Sequence, residues 1–227
     1  MFYIDYSYIV FVLPALILAM WAQAKVNGTF KKYSQVYSAR GITGAEVAQR
    51  LLNAYGIHNV VVEHVAGNLT DHFDPRTNVI RLSDTVYGSN SVAAIGVAAH
   101  ETGHAIQHHF GYAPIKIRNV FVPITNIGSY LAFPLVILGI LFSLDGVAYA
   151  GIALFSLVVL FQLITLPVEF NASHRAIRVL DEQDILAGDE LKGAKKVLSA
   201  AAMTYVAAAA VAIGNLLRLI SIVNRRD

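Results

Sequence analysis

The sequence predicts a mainly α-helical membrane protein with about four transmembrane helices and a compact α+β lobe, and three observations carry that prediction. Of 227 residues, 56% are hydrophobic and only 14% charged, with a mean hydropathy of +0.56, more apolar than an ordinary soluble domain. Four apolar stretches approach the ~20 residues that cross a bilayer. Between the first two lies a long polar segment with both helical and strand patterns.

The first apolar stretch runs from Ile4 to Ala22 and is followed by Lys25, Lys31 and Lys32. Ala22-Gln23-Ala24 resembles a signal-peptidase site, but nothing before it is basic and Asp5 is acidic, so residues 1–24 read as a retained N-terminal anchor. Residues 25–118 form the lobe. Thr43 and Glu46 make a capping box opening a helix through Tyr55, with Ala45, Ala48, Leu51 and Leu52 on its apolar side. Asn59 to Val65 is β-branched and strand-like, and Thr77 to Leu82 is a second strand, entered through the turn residues Asp74-Pro75. Val79 to Leu82 serves either as an ordinary sheet strand or as one that pairs with extended substrate. Ser91 to Phe110 closes the lobe as a helix.

Val120 to Leu144 and Val147 to Leu166, separated by Asp145-Gly146, predict a transmembrane hairpin over 119–166. Pro123 and Pro134 fall inside it, where partner helices tolerate a kink. Residues 167–196 follow as a helical region. Residues 197–227 form an Ala-rich helix that either spans or is buried, with Ala201, Ala202 and Ala207 to Ala210 favouring close packing. Phe2, Tyr3, Tyr6, Tyr8, Tyr130 and Tyr149 sit near span ends, where an aromatic belt belongs.

Lys and Arg sort among the loops. None precedes Lys25, none lies between Arg118 and Arg175, and loops 25–118 and 167–196 hold all except Arg218, Arg225 and Arg226. By the positive-inside tendency these two loops face the cytoplasm. Arg225 and Arg226 disagree, because four full spans would place them outside; the side of the tail stays open.

The helix 91–110 contains His100-Glu101-Thr102-Gly103-His104. Two histidines four residues apart lie about 40° apart on one helix face, so both imidazoles reach one Zn²⁺. Glu101 is then placed as general base for zinc-bound water, whose pKa falls from ~15.7 to about 7. The flanking Val92, Ala93, Ala94, Ile95, Val97, Ala98 and Ala99 mark a buried helix, and charge buried there needs a partner. With no Cys in the chain, only His and carboxylate can hold the metal.

The hairpin returns the chain to the side it left, so the third ligand is expected from 167–196, and Glu169 is the choice. A metzincin pattern fails, because Gln107 and Phe110 stand where its Gly and third His belong. His108 reads as a surface or outer-sphere histidine, His109 and His58 as solvent-facing. His174, one turn beyond Glu169, contacts a substrate oxyanion or caps the surface; Arg175 and Arg178 contact an oxyanion or carboxylate, or anchor the membrane side. Asp71, His72 and Asp74 shape or cover the site, or are simply turn residues. Glu169 lies within a few residues of the third span, which places the metal roughly 5–10 Å from the interface.

The run Ala98 to His108, the stretch Glu169-Phe170-Asn171-Ala172-Ser173 and the upstream Leu69 to Arg76 resemble the YugP-like membrane zinc metallopeptidases over nearly the whole chain. The resemblance implies a zincin-like lobe of gluzincin type, with His100, His104 and Glu169 on one zinc ion and Glu101 as base. The chain is more distantly similar to HtpX-type and CAAX prenyl membrane proteases. Those carry an Asp four residues after the ligand Glu, where this chain has Ser173, which leaves the support of His100 and His104 unassigned.

The expected function is therefore hydrolysis of peptide bonds in membrane or juxtamembrane proteins, at the cytoplasmic face of a bacterial plasma membrane. The expected partners are the lipid bilayer and a protein or peptide substrate. A non-catalytic zinc-containing scaffold, whose Ala-rich fourth segment binds a partner, is the alternative; a closed four-ligand zinc would favour it. A third reading has the Asp71 to Asp74 turn occupying the cleft of a zymogen. A net charge of +2, with basic residues tracking topology, gives no footprint for nucleic acid.

Overall fold

The structure is a computed structural model that describes residues 6–224. Expectations resting on Phe2, Tyr3, Ile4, Asp5, Arg225 and Arg226 lie outside the described residues. The elements in chain order are α1 (Leu13–Tyr33), α2 (Gly44–Ala54), β1 (Val61–Val65), β2 (His72–Asp74), β3 (Val79–Ser83), α3 (Val92–His109), α4 (Ala113–Leu141), α5 (Asp145–Glu182) and α6 (Gly188–Asn224). A π-helical turn, Tyr8–Val12, leads into α1. The chain divides into two compact units.

One unit comprises the chain to Gln23, Lys116–Pro167 and Met203 onward. It draws on Tyr8–Tyr33, α4, α5 and α6, each long and apolar enough to cross a membrane. Its core gathers Ala132, Val136, Ala148, Ile152, Phe155 and Val159 with Ala212, Leu219 and Val223. Small residues set the spacing: a Cβ on Gly151 would lie 2.7 Å from the Ala132 carbonyl oxygen, so glycine lets α4 and α5 touch by their backbones. Ile127, Ile137 and Leu141 are exposed. Small residues inside and large apolar ones outside suit a surround of lipid. The Tyr149 hydroxyl meets Asn224 Oδ1 at 3.4 Å, so α6 returns along α5 to its N-terminal end.

The other unit comprises Ala24–Ile115 and Val168–Ala202. Helix α3 is its axis, which explains a sequence apolar nearly all round. Ala94, Ala98, Ala105 and Ile106 pack toward Ala48, Leu52, Ile80 and Leu82 of α2 and the sheet. Val92, Ile95 and Ala99 pack toward Ala176, Val179, Leu180, Ala194 and Leu198 of α5 and α6. The capping box at Thr43 and Glu46 forms as the sequence predicts.

The sheet departs from expectation. His72–Asp74, read as part of a turn, is a strand antiparallel to β3, while β1 pairs β3 in parallel, giving the order β1-β3-β2. Val79 to Leu82 is therefore the central strand with both edges taken, and it cannot add a substrate strand. Helix α5 also runs on past the expected end of its span: Pro167 lies inside it, and the buried residues Val168, Glu169 and Ala172 that follow hold the chain helical.

Candidate metal centre

Helix α3 is secured at both ends. Ser91 Oγ accepts from the Ala94 N–H at 3.2 Å, an N-cap worth about 1 kcal/mol. At the other end Gly111 takes φ +64°, and the N–H groups of Gly111 and Tyr112 donate to the carbonyls of His108 and Gln107 at 3.1 and 2.9 Å. This is a Schellman closure, and its left-handed position favours glycine.

The residues 168–182 of α5 cross α3 at Gly103, where an added Cβ would lie 2.8 Å from the Ala172 carbonyl oxygen. Only glycine permits that approach, and it brings Glu169 to the two histidines. Glu169 Oε2 lies 3.3 Å from His100 Nε2 and 3.5 Å from His104 Nε2. The ligand-capable atoms of His100, His104 and Glu169 all fall within 4.8 Å of one another.

These distances fit a metal. A tetrahedral zinc with ligand bonds of about 2.0–2.1 Å places its ligand atoms about 3.3 Å apart, close to both His–Glu separations. The electrostatics agree. Burial disfavours the protonated form of His104, yet the Glu169 carboxylate, then Glu101 and Gln107, outweigh it and hold the His104 pKa above the ordinary histidine value. The surroundings thus favour positive charge at this point.

Outer contacts orient the two candidate ligand histidines. The Nδ1 of His104 meets Gln107 Oε1 at 3.0 Å, and the Nδ1 of His100 meets Ser173 Oγ at 3.1 Å, leaving both Nε2 atoms turned to Glu169. Such partners fix ring orientation and commonly change metal affinity when removed. Glu101 is buried, and its Oε2 accepts the backbone N–H of Phe73 at 3.0 Å.

The remaining candidates fall elsewhere. His174 is exposed and outside the three-residue group. Arg175 donates to Asn171 Oδ1 at 2.7 Å and lies over the Tyr112 ring, while Arg178 pairs with Glu182. His58, His108 and His109 are exposed, and the His108 ring lies 5.7 Å from that of Phe73. Asp71 accepts the N–H and hydroxyl of Ser83. Asp74 accepts from the Arg76 N–H and the Thr77 hydroxyl. Both act as turn and strand clamps, and Phe73 is what reaches Glu101.

Sequence reasoning missed Gln107 as a partner of His104, although its place three residues on, on the same helix face, was a readable signal. It left Ser173 unassigned. The Phe73 amide carries no side-chain signature and was not readable.

A His₂Glu group on two crossing helices, half-buried at His100 and buried at His104 and Glu169, with a glutamate beside it and four apolar helices among the described residues, is the arrangement of a membrane metal-dependent hydrolase. The comparisons make the class specific: residues 8–224 match the family described as "Putative neutral zinc metallopeptidase", and the chain belongs to that family of zinc metallopeptidases. It is 49% identical over 223 residues to "Putative membrane protease YugP" of Bacillus subtilis (strain 168), covering 97% of this chain and 98% of that one. No solved structure matches it.

Proposed function

We propose that the protein is a membrane-embedded metalloendopeptidase of gluzincin type that cleaves membrane or juxtamembrane proteins at the cytoplasmic face. His100, His104 and Glu169 hold the zinc. The convergence of their three donor atoms within 4.8 Å carries the reading, because three protein ligands is the count of catalytic rather than structural zinc.

Bound zinc supplies a Lewis acid that polarises the scissile carbonyl and acidifies water. Glu101 takes a proton from the attacking water and delivers it to the leaving amine nitrogen, so the peptide bond opens to an acid and an amine with protons conserved. The Phe73 N–H on Oε2 orients that carboxylate. With β3 enclosed between β1 and β2 and the Phe73 N–H of β2 held by Glu101, Val79 to Leu82 does not serve as the strand that pairs with an extended substrate. Arg175 acts through Asn171, and His174 is a surface contact for substrate.

Two measurements test the substrate and the side. In proteoliposomes, a membrane-anchored substrate is expected to be cleaved faster than casein by the wild type and by neither route in Glu101→Gln; equal rates on both would contradict the membrane-substrate reading. Since the chain has no Cys, Asn68→Cys gives a single label site. An impermeant maleimide should label it in inverted vesicles and not in intact cells, and the reverse pattern would overturn the cytoplasmic placement.

A further inference from the structure

Gln107 is fully buried and faces three polar groups whose hydrogen-bond directions follow from chemistry alone. Its Nε2 lies 2.8 Å from the Val168 carbonyl oxygen and 3.0 Å from Asn171 Oδ1. A backbone carbonyl only accepts, so the end of Gln107 turned to Val168 must be its NH₂. Arg175 only donates, and its Nε lies 2.7 Å from Asn171, so Asn171 must present its oxygen there. That oxygen also receives the second Gln107 proton.

Both Gln107 protons are thereby used, and Oε1 is left to accept. The group it meets, at 3.0 Å, is His104 Nδ1, which must therefore carry the ring proton. The lone pair then sits on Nε2, the atom facing Glu169. Arg175 is itself located: it lies over the Tyr112 ring at 5.9 Å, and the Tyr112 N–H is tied to the Gln107 carbonyl at 2.9 Å. His100 lacks such a chain, because the Ser173 hydroxyl on its Nδ1 can donate or accept.

We propose that Gln107, Asn171 and Arg175 are positioning residues that lock His104 as an Nε2 metal ligand, with Arg175 setting the direction of the whole relay from three hydrogen bonds away. This rests on His104 being a zinc ligand. The relay is built from neutral amides ending in a cation, so it adds no second buried carboxylate to the ligand set.

Zinc affinity by chelator competition, with nitrogen NMR of isotope-labelled histidine in the zinc-loaded wild type, tests it. The His104 proton is expected on Nδ1. Gln107→Leu should weaken zinc binding by about 10–100-fold. Gln107→Glu should also weaken it, because a carboxylate has no donor for Val168 and Asn171. Asn171→Asp keeps an acceptor between Gln107 and Arg175 and should stay close to wild type, whereas Asn171→Leu should not. A proton on His104 Nε2, or wild-type affinity in Gln107→Glu, overturns the proposal, and the NMR result needs no variant to fold. His104→Ala separates the two levels. Zinc lost there but kept in both Gln107 variants defeats the relay alone; zinc kept in His104→Ala defeats the site reading and the relay together.

Discussion

The two units differ in how the polar groups they bury are satisfied. In the apolar unit, four Ser and Thr hydroxyls bond within their own helix: Thr125 to the Phe121 carbonyl, Ser129 to Thr125, Ser156 to Ile152 and Thr165 to Phe161. In the unit that holds the metal centre, Thr102 does the same with the Ala98 carbonyl, but the polar groups around the centre reach across elements. Phe73 meets Glu101 across 28 residues, Gln107 meets Val168 across 61, and Ser173 meets His100 across 73. A helix in lipid has no water to satisfy a hydroxyl, so the i−4 carbonyl is its cheapest partner. A site must hold groups from separate elements in one geometry, and only long-range bonds do that.

The largest effect should come from the centre. Glu169→Ala is expected to weaken zinc binding by more than about 100-fold, beyond the range for losing an outer-sphere partner, as measured by chelator competition. Retention of wild-type affinity would place the third ligand elsewhere. Gly103→Val should push α3 off the Ala172 backbone, at a cost of about 3 kcal/mol, lowering both the melting temperature in detergent and the zinc affinity. Loss of stability with zinc binding intact would mean that this crossing does not set the ligand geometry. Thr165→Val sharpens the comparison from the other side. It removes a bond that only duplicates the helix ladder, so stability should change by less than about 0.5 kcal/mol. A cost of several kcal/mol would show that the apolar unit also depends on its buried hydroxyls.

The same contrast separates what the sequence made legible from what it did not. Local rules gave the capping box at Thr43 and Glu46, the helix bearing His100 and His104, and the four apolar helices, because each is written within one element. Glu169 was reachable because a Cys-free two-His site needs a carboxylate and the hairpin restricts where one returns. β2 was not reachable: His72-Phe73-Asp74 is too short to show a period, and it is a strand only because β3 pairs with it. The sheet order hid the enclosure of Val79 to Leu82 for the same reason. Gln107 was visible as a residue but not as a link, since its partners Val168 and Asn171 lie on α5, brought near by the Gly103 crossing.

The proposed division of labour at the centre, three residues for the metal and one for the proton, is tested most directly by measuring zinc content and peptide-bond cleavage on the same preparation of Glu101→Gln. The amide keeps the Phe73 contact and the shape while removing the base. One zinc per chain with activity reduced by about 10²–10⁴-fold is the predicted result. Wild-type cleavage, or loss of the zinc along with the activity, would contradict it.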